Sequence, residues 1–328
     1  MSRYGRLVAA MLVLLSWAGG ESAAAKLDAL DADGLYTWRV AATEGAPPWC
    51  CICWSGDPAV TRECDLDSRN VNYGAGESLR ASGEMQVYAL IESGQARRIR
   101  TLSPQCAVRS RRDVVDLGVI EVDASLAWLE GNVTSSASAG SDALAAIAVH
   151  RGSAALRFLI DTADAGATTE LRKDAIFWMS QARIAESAGE LERMMFRDES
   201  PEIRQHAAFA LSQSTAGNRD DALIRQGRED KDPEVRSHAW FWLAQTGTSR
   251  SEEAIRWAIV NDPDDGVREQ ALFAISQLPE ERGVDALFAV LRDRQMHREV
   301  REQALFWLAQ SDSERAFEYL DQLLADGQ

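Results

Sequence analysis

Hydrophobic and polar residues alternate along the first part of the chain. Tyr36, Trp38 and Val40 occupy every second position, and two further alternating runs flank Ser93 and Gly94. A period of two places successive side chains on opposite faces of a strand, and a glycine-containing pair between two such runs favours a hairpin turn. Residues 26–130 are therefore predicted to form a small β-rich domain with an antiparallel sheet.

The pattern becomes helical from residue 142 onward, and it repeats. Five segments align without gaps, each with a hydrophobic residue and an arginine at its start and a glutamine at its end: LRKDAIFWMSQ (171–181), IRQHAAFALSQ (203–213), VRSHAWFWLAQ (235–245), VREQALFAISQ (267–277) and VREQALFWLAQ (300–310). Their arginines are 32, 32, 32 and 33 residues apart. A period of this length with two helices per unit predicts an α-solenoid, in which every unit buries its apolar face against its neighbours.

Each repeated segment is predicted to be the second helix of a helix pair. The partner helices are expected at 187–197, 219–228, 252–260, 283–291 and 314–324. A degenerate earlier unit, aligned through Asp142, suits an N-terminal cap. Residues 131–141 are small and polar and are predicted to be a linker. The chain is thus expected to be an α+β protein of two domains, with the solenoid at 142–328.

These residues resemble HEAT repeats, in particular the bacterial HEAT-like type also found in phycobilisome lyases. The resemblance rests on the hydrophobic-Arg-x-x-Ala start of the second helix and on the acidic or proline-containing turn before it, as in DESPEIR and DKDPEVR. It covers roughly residues 142–328 and implies a HEAT-like solenoid, a fold whose usual work is binding. It also raises an alternative function, a lyase or chaperone-like factor.

The second helices have an unusual face opposite the core. When positions are counted from the repeat arginine as zero, −1, +3, +4, +7 and +8 form the core face, whereas +5 is always Phe, +6 alternates between Trp and Ala, and +9 is always Gln. The Phe and Trp rings either pack between neighbouring second helices or line a groove for a protein or peptide partner. The candidate groove residues are Trp178, Trp242, Trp307, Gln181, Gln213, Gln245, Gln277, Gln310, His206 and His238.

The repeat arginines lie in the middle of the core face, where an unpaired charge is costly. They are Arg172, Arg204, Arg236, Arg268 and Arg301. In each complete unit an acidic residue of the interhelix turn precedes the arginine, and the candidate partners are Asp198, Asp230, Asp262 and Asp293. This arrangement resembles the internal Asp-Arg ladder of HEAT-like families, which ties turns together. The arginines are interpreted as structural residues.

The first 25 residues have the layout of a secretory signal peptide. Arg3 and Arg6 precede an apolar run over residues 7–17, and three alanines end at Ala25. The run is shorter than the roughly 20 residues that a permanent span requires, although a retained anchor is the alternative. The mature protein is expected to be periplasmic or secreted, with no membrane span.

All five cysteines, Cys50, Cys51, Cys53, Cys64 and Cys106, lie within 57 residues. An exported chain favours disulfides, and an odd number leaves at least one thiol over. Cys53 with Cys64, and Cys106 with Cys50 or Cys51, are the expected pairs. A thiolate metal site, and with it a thiol or metal sensor, is the alternative.

Charge and missing motifs narrow the function further. The formal net charge of −16 disfavours nucleic acid as a partner. No phosphate loop, nucleophile elbow or zinc-protease motif occurs, so no catalytic residue, metal ligand or cofactor is assigned and enzyme activity has no support. His150 and His297 have no evident partner. The arginine-rich stretch at 97–112 is interpreted as a solvated hairpin face, or as a surface that docks on the acidic solenoid or an acidic partner.

Overall fold

The computed structural model describes most of the chain after the predicted signal peptide. The described residues are 23–28, 30–53, 60–68, 73–75, 81–134, 137–214, 217–278, 281–294 and 296–326. The predicted signal sequence up to residue 22 lies outside them. No helix within these ranges combines the length and apolar character needed to cross a membrane.

Among the described residues, nine strands follow a short first helix, and helices form the remainder of the chain. The strands are β1 (Gly34–Ala41), β2 (Trp49–Cys53), β3 (Val60–Thr61), β4 (Cys64–Asp65), β5 (Tyr73–Ala75), β6 (Glu84–Glu92), β7 (Gln95–Leu102), β8 (Val108–Arg109) and β9 (Val114–Val119). The helices are α1 (Ala23–Asp28), α2 (Val122–Asn132), α3 (Ala137–Val149), α4 (Ser153–Ala165), α5 (Thr169–Ala182), α6 (Ile184–Arg197), α7 (Pro201–Ser212), α8 (Arg219–Glu229), α9 (Pro233–Gln245), α10 (Ser249–Asn261), α11 (Asp265–Ser276), α12 (Glu281–Arg292), α13 (Arg298–Ala309) and α14 (Glu314–Asp326).

The main sheet has four strands in the order β7-β6-β1-β9. β6 pairs antiparallel with both β1 and β7, and the β6–β7 hairpin turns at Ser93 and Gly94, which both have positive φ. Such a pair twists the turn in the sense that the flanking strands require. The expectation of an antiparallel sheet is wrong at one edge, because β9 pairs with β1 in parallel.

Both faces of this sheet are covered. Trp38, Val87 and Ile99 point toward the helices and belong to one large core. Tyr88 and Leu90 point the other way, onto a small core that includes disulfide-bonded cysteines. The alternation of the strands therefore places the sheet between the helical layer and a disulfide-rich lobe.

Helices occupy both ends of the predicted linker at 131–141, and the role of this stretch as a linker stays a prediction. Its first residues end α2 and its last residues begin α3, where Ala139 is fully buried. A Cβ on Gly140 would lie 2.2 Å from the carbonyl oxygen of Val133, so the small residues permit a close approach of the two helices. Small residues here serve packing rather than flexibility. The domain boundary near residue 130 stays a prediction.

Helices α2–α14 confirm the HEAT-like arrangement of helix pairs. The second helices α3, α5, α7, α9, α11 and α13 lie side by side in one layer, and α4, α6, α8, α10 and α12 each pack on the second helix that follows. Thr168, Ser200, Asp232 and Asp264 cap the second helices, since their side-chain oxygens accept from backbone amides of the first turn. The turn residues of the repeat thus define where each second helix begins.

Candidate partner-binding surface

Aromatic rings form a row across the second-helix layer. Phe209 on α7 contacts Trp242 on α9 at 4.8 Å between ring centroids, Phe241 stacks on Phe273 of α11 at 6.1 Å, and Phe273 contacts Trp307 of α13 at 5.0 Å. The rings therefore pack between neighbouring helices, large residues alternating with the buried alanines at +6. The packing is incomplete at the surface: Trp242 and Trp307 are half-buried, and Phe306 on α13 is 54% exposed.

The first tryptophan of the row has a different environment. Trp178 on α5 packs against Trp49 of β2 at 5.5 Å between ring centroids. Trp49 is held by the backbone amide of Ser103, which donates to its carbonyl oxygen at 2.8 Å. Trp178 is therefore covered on one side by the chain's own β-rich region, whereas Trp242 and Trp307 lie farther along the layer.

A groove of about 640 Å³ lies between α9 and α11. Phe241, Trp242 and His238 line it from α9, and Val267, Glu269 and Gln270 line it from α11. Residues of the two helix starts, Pro233, Glu234, Asp264 and Gly266, complete it together with Ser237. Candidate groove residues from the +2 and +6 positions therefore meet in one concave site.

The two candidate histidines differ in exposure. His238 is exposed and its Nδ1 lies 2.9 Å from the carbonyl oxygen of Glu234. His206 is half-buried beside Phe209, and burial is the main cause that lowers its pKa. Within the described ranges, His, Cys, Asp and Glu side chains form no group of three that suits a metal ion.

The glutamines at +9 are all exposed at the ends of the second helices: Gln181, Gln213, Gln245, Gln277 and Gln310. Where serine precedes the glutamine, the amide nitrogen donates to the serine hydroxyl, as from Gln213 to Ser212 at 3.1 Å. These amides are accessible one turn beyond the Phe row.

Ion pairs connect successive repeats beneath this surface. Arg204 donates to Asp230 through Nε at 2.8 Å and Nη2 at 2.9 Å, and Arg236 donates to Asp262 in the same way at 2.9 Å twice. Arg172 donates to Asp198 through Nη2 alone, because its Nε donates to the carbonyl oxygen of Ala163 at 2.6 Å. In both Arg204 and Arg236 the hydrogen bond to the carboxylate raises the pKa of the guanidinium. Each arginine thus reaches the carboxylate 26 residues ahead.

The direction of this pairing differs from the expectation that an arginine pairs with the carboxylate of the turn before it. Arg236 donates only to the backbone carbonyl oxygen of Asp230, at 3.0 Å, and its carboxylate partner, Asp262, lies in the following turn. Arg204 and Arg236 therefore each bridge two turns. The register changes at the 33-residue unit, where residue 26 after Arg268 is Arg294. Arg268 donates to the carbonyl oxygen of Asp262 at 2.7 Å and also contacts the exposed Asp265 in its own helix.

At the C-terminal end, the Nε atom of Arg301 is buried without a hydrogen-bond partner among the described residues. The last repeat arginine therefore lacks, at this atom, the carboxylate contact that Arg204 and Arg236 make through Nε.

Two disulfides are present, Cys50–Cys106 and Cys51–Cys64. The expected Cys53–Cys64 pair is wrong, since Cys64 bonds to Cys51. Cys50 and Cys51 are adjacent on β2 and point to opposite faces, so each reaches a different partner. The side chain of Cys53 lies outside the described part of the chain. A four-thiolate site is incompatible with these bonds because Cys51, Cys64 and Cys106 are already oxidised.

The arginine-rich stretch binds its own domain. Arg98 and Arg100 donate to the carbonyl oxygens of Leu66 and Ser68 at 2.8 and 3.0 Å, and Arg112 donates to Asp67 at 2.7 Å. The backbone amide of Arg111, followed by the Arg112 side chain, lowers the pKa of Asp67 against the opposing effect of burial. Arg98 and Arg100 therefore hold the segment after Cys64 against the hairpin, whereas Arg97, Arg109, Arg111 and Arg112 are exposed, as the interpretation of a solvated face expects.

Sequence reasoning missed a buried network between the sheet and the helices. Trp38 Nε1 donates to Ser125 Oγ at 2.8 Å, and His150 Nε2 lies 2.8 Å from the same oxygen. His150 is fully buried, and this burial lowers its pKa to about 4. Arg183 donates to the carbonyl oxygen of His150 at 2.7 Å. No spacing signal links these residues, since they lie in β1, in α2 and just after the ends of α3 and α5.

Comparison with known proteins agrees with the repeat arrangement. A family model described as HEAT repeats matches residues 221–295. No curated protein gives a significant match. Similar solved structures include the E. coli protein YibA, with 16% identity over 62% of this chain and 76% of that chain and a TM-score of 0.38. Another is human deoxyhypusine hydroxylase in complex with glycerol, with 17% identity over 62% of this chain and 84% of that chain and a TM-score of 0.25. At this level of similarity neither structure indicates a function. The chain contains a HEAT-like domain, a fold type that offers extended surfaces for binding.

Proposed function

We propose that this HEAT-like protein is an exported protein-binding scaffold that holds an extended segment of a partner along its second-helix layer. The observation that carries the proposal is the contact between Trp49 and Trp178. There, a strand from outside the solenoid already lays an aromatic side chain on the repeat tryptophan. Trp242 and Trp307 present the same side chain in later repeats, where they are half-buried.

The arrangement suits a protein segment better than a small metabolite. The row of rings crosses the second helices of four successive repeats, which are α7, α9, α11 and α13. Exposed glutamine amides lie beside it. Amides offer both a donor and an acceptor to a peptide backbone, while aromatic rings take its side chains. The repeat arginines and their carboxylates act, in this proposal, as structural ties that hold the layer in shape.

Export is supported by two features. The N-terminal residues up to Ala25 have the pattern of a signal peptide, and the two disulfides persist best in an oxidising compartment. We therefore place the scaffold in the periplasm or outside the cell.

Photo-crosslinking in the producing cells tests the binding surface. A photoreactive phenylalanine analogue at Gln245 or Gln277 should yield a discrete crosslinked protein, because both side chains are exposed on the second-helix layer. The matched control places the same analogue at Val260, which is 54% exposed on the first helix α10. Equal crosslinking from Val260, or crosslinking from Val260 alone, would contradict the proposed surface.

Trp242→Ala tests the aromatic row itself. Loss of an interface anchor should weaken partner binding by about 2 kcal/mol or more. The same change removes contacts with Phe209 and Phe241, so unfolding is measured on the same sample. A loss of stability with unchanged affinity would assign Trp242 to packing alone.

A further inference from the structure

We propose that the groove between α9 and α11 takes a cationic side chain, arginine or lysine, from the bound protein segment. This inference rests on the proposed function and adds the chemistry of the segment. It follows from the charges of the groove, from its aromatic rings and from the treatment of cations elsewhere in the molecule.

The groove is lined by carboxylates without a lysine or arginine. Glu234, Asp264 and Glu269 contribute acidic groups, and His238 is the one basic side chain among the lining residues that the structure describes. Glu234 and Glu269 are exposed, and within the described residues neither carboxylate has a salt-bridge partner. Two uncompensated carboxylates facing one concavity attract a positive group.

The same acidic character continues along the edge of the layer. The position two residues before the repeat arginine is glutamate in four of the five repeats, and each of these side chains is exposed: Glu170, Glu202, Glu234 and Glu299. A partner segment that follows the layer therefore meets a row of negative charges, and one of them, Glu234, lines the groove.

Aromatic rings that line the groove complete a site for a cation. Phe241 and Trp242 both line it, and aromatic faces attract a cation placed above them. On the first-helix layer the chain satisfies such rings itself, since Arg225 lies 3.6 Å from the Phe196 ring centroid and Arg228 lies 4.6 Å from that of Trp257. Among the described residues no arginine or lysine lies over Phe241 or Trp242 in this way.

The helix starts do not reverse this preference. The positive ends of helix dipoles attract anions, but the starts of α9 and α11 already have carboxylates on their free amides. Asp232 accepts from the amides of Glu234 and Val235 at 2.9 and 3.3 Å, and Asp264 accepts from that of Val267 at 3.1 Å. An anionic partner would therefore meet capped amides and facing carboxylates.

Fluorescence anisotropy with the full chain and a defined peptide tests the inference. The probe is a labelled 12-residue peptide of alternating arginine and serine, on the order of the row's length, and its comparison peptide carries citrulline, which keeps the shape of arginine and lacks the charge. The arginine peptide should bind at least about tenfold more tightly than the citrulline peptide. Equal affinity for the two would overturn the proposal.

Charge variants separate the groove from the general acidity of the protein. Glu234→Gln with Glu269→Gln should weaken the arginine peptide by about tenfold. The control, Glu199→Gln with Glu229→Gln, makes the same change in net charge at exposed residues that line a different cavity, between α6 and α8. It should leave affinity within about twofold. Equal weakening by both pairs would show nonspecific attraction and refute the site.

The crosslinking experiment distinguishes this inference from the proposed function. If partner crosslinks from Gln245 and Gln277 persist while the glutamate variants bind the peptide normally, the cationic assignment is wrong and the scaffold role stands. If the glutamates control peptide binding while no partner crosslinks to the layer, the groove chemistry stands and the scaffold role is wrong.

Discussion

Replacement of Arg236 by alanine is the sharpest test of how successive repeats are held together. The guanidinium makes two hydrogen bonds to the Asp262 carboxylate at 2.9 Å and one to the carbonyl oxygen of Asp230 at 3.0 Å. Without it, the Asp262 side chain, which is 2% exposed, keeps only the bond from the amide of Asp264 among those described. A buried charge that loses its partner costs about 3–5 kcal/mol, so Arg236→Ala should destabilise the solenoid by this amount.

Urea unfolding followed by far-UV circular dichroism measures the effect, and hydrogen exchange of the α9 and α11 amides shows whether the loss is local. Asp262→Ala and the double variant complete a thermodynamic cycle, in which the two single losses should not add. Arg298→Ala is the matched control, because Arg298 and Glu302 form an exposed pair within one helix, and it should leave the midpoint unchanged. A loss below about 1 kcal/mol for Arg236→Ala, or full additivity in the cycle, would refute the structural role of the ladder.

Three further experiments, on pH, on free thiols and on glycine substitutions, have defined outcomes. Burial lowers the pKa of His150 from 6.5 to about 4, so the unfolded chain binds the proton more tightly than the folded chain does. The neutral histidine therefore contributes about 3 kcal/mol of stability that is fully present above pH 6.5 and should be lost as the pH falls toward 4. Stability measured against pH should show this slope in the wild type, and its persistence in His150→Gln would contradict the assignment. Two disulfides among five cysteines predict one titratable thiol in denatured, unreduced protein, and a count of five would contradict both bonds. Gly227→Ala should lower stability by about 1–3 kcal/mol, since its Cβ would lie 2.5 Å from the Trp240 ring. Gly189→Ala, with nothing within 4 Å, should raise stability by about 0.5–1 kcal/mol, and equal melting temperatures for the two would refute the packing argument.

Most of the solenoid was predictable because its information is local and repeated. The core face at −1, +3 and +7 is recognisable from spacing alone, and residues such as Val235, Ala239 and Leu243 are fully buried as that spacing requires. The turn residues Ser200, Asp232 and Asp264 cap the helices that follow them. Five copies of one pattern reinforce each other, since a helix pair has to bury its apolar side against a neighbour of the same kind.

The candidate surface was predictable only as a list of residues. Helical phase placed Phe, Trp and Gln away from the core centre, but it did not say which rings contact one another. Trp178 and Trp242 occupy the same repeat position, yet only the first lies against Trp49, 129 residues earlier in the chain. The sequence also did not show that Glu269 lines a groove with Phe241 and Trp242, because this depends on the distance between α9 and α11.

The sequence by itself determined the repeat, the start of each second helix and the presence of a β-rich region with disulfides. The tertiary structure alone decided the partners: Asp262 for Arg236, Cys51 for Cys64, the parallel β9 beside β1, and the burial of Ala139 in what reads as a linker. The physical reason is that periodicity and capping act over three or four residues, which a single chain displays directly. Pairing of charges, thiols and strand edges depends on which distant segments the core brings together, and several partners of similar chemistry compete for each.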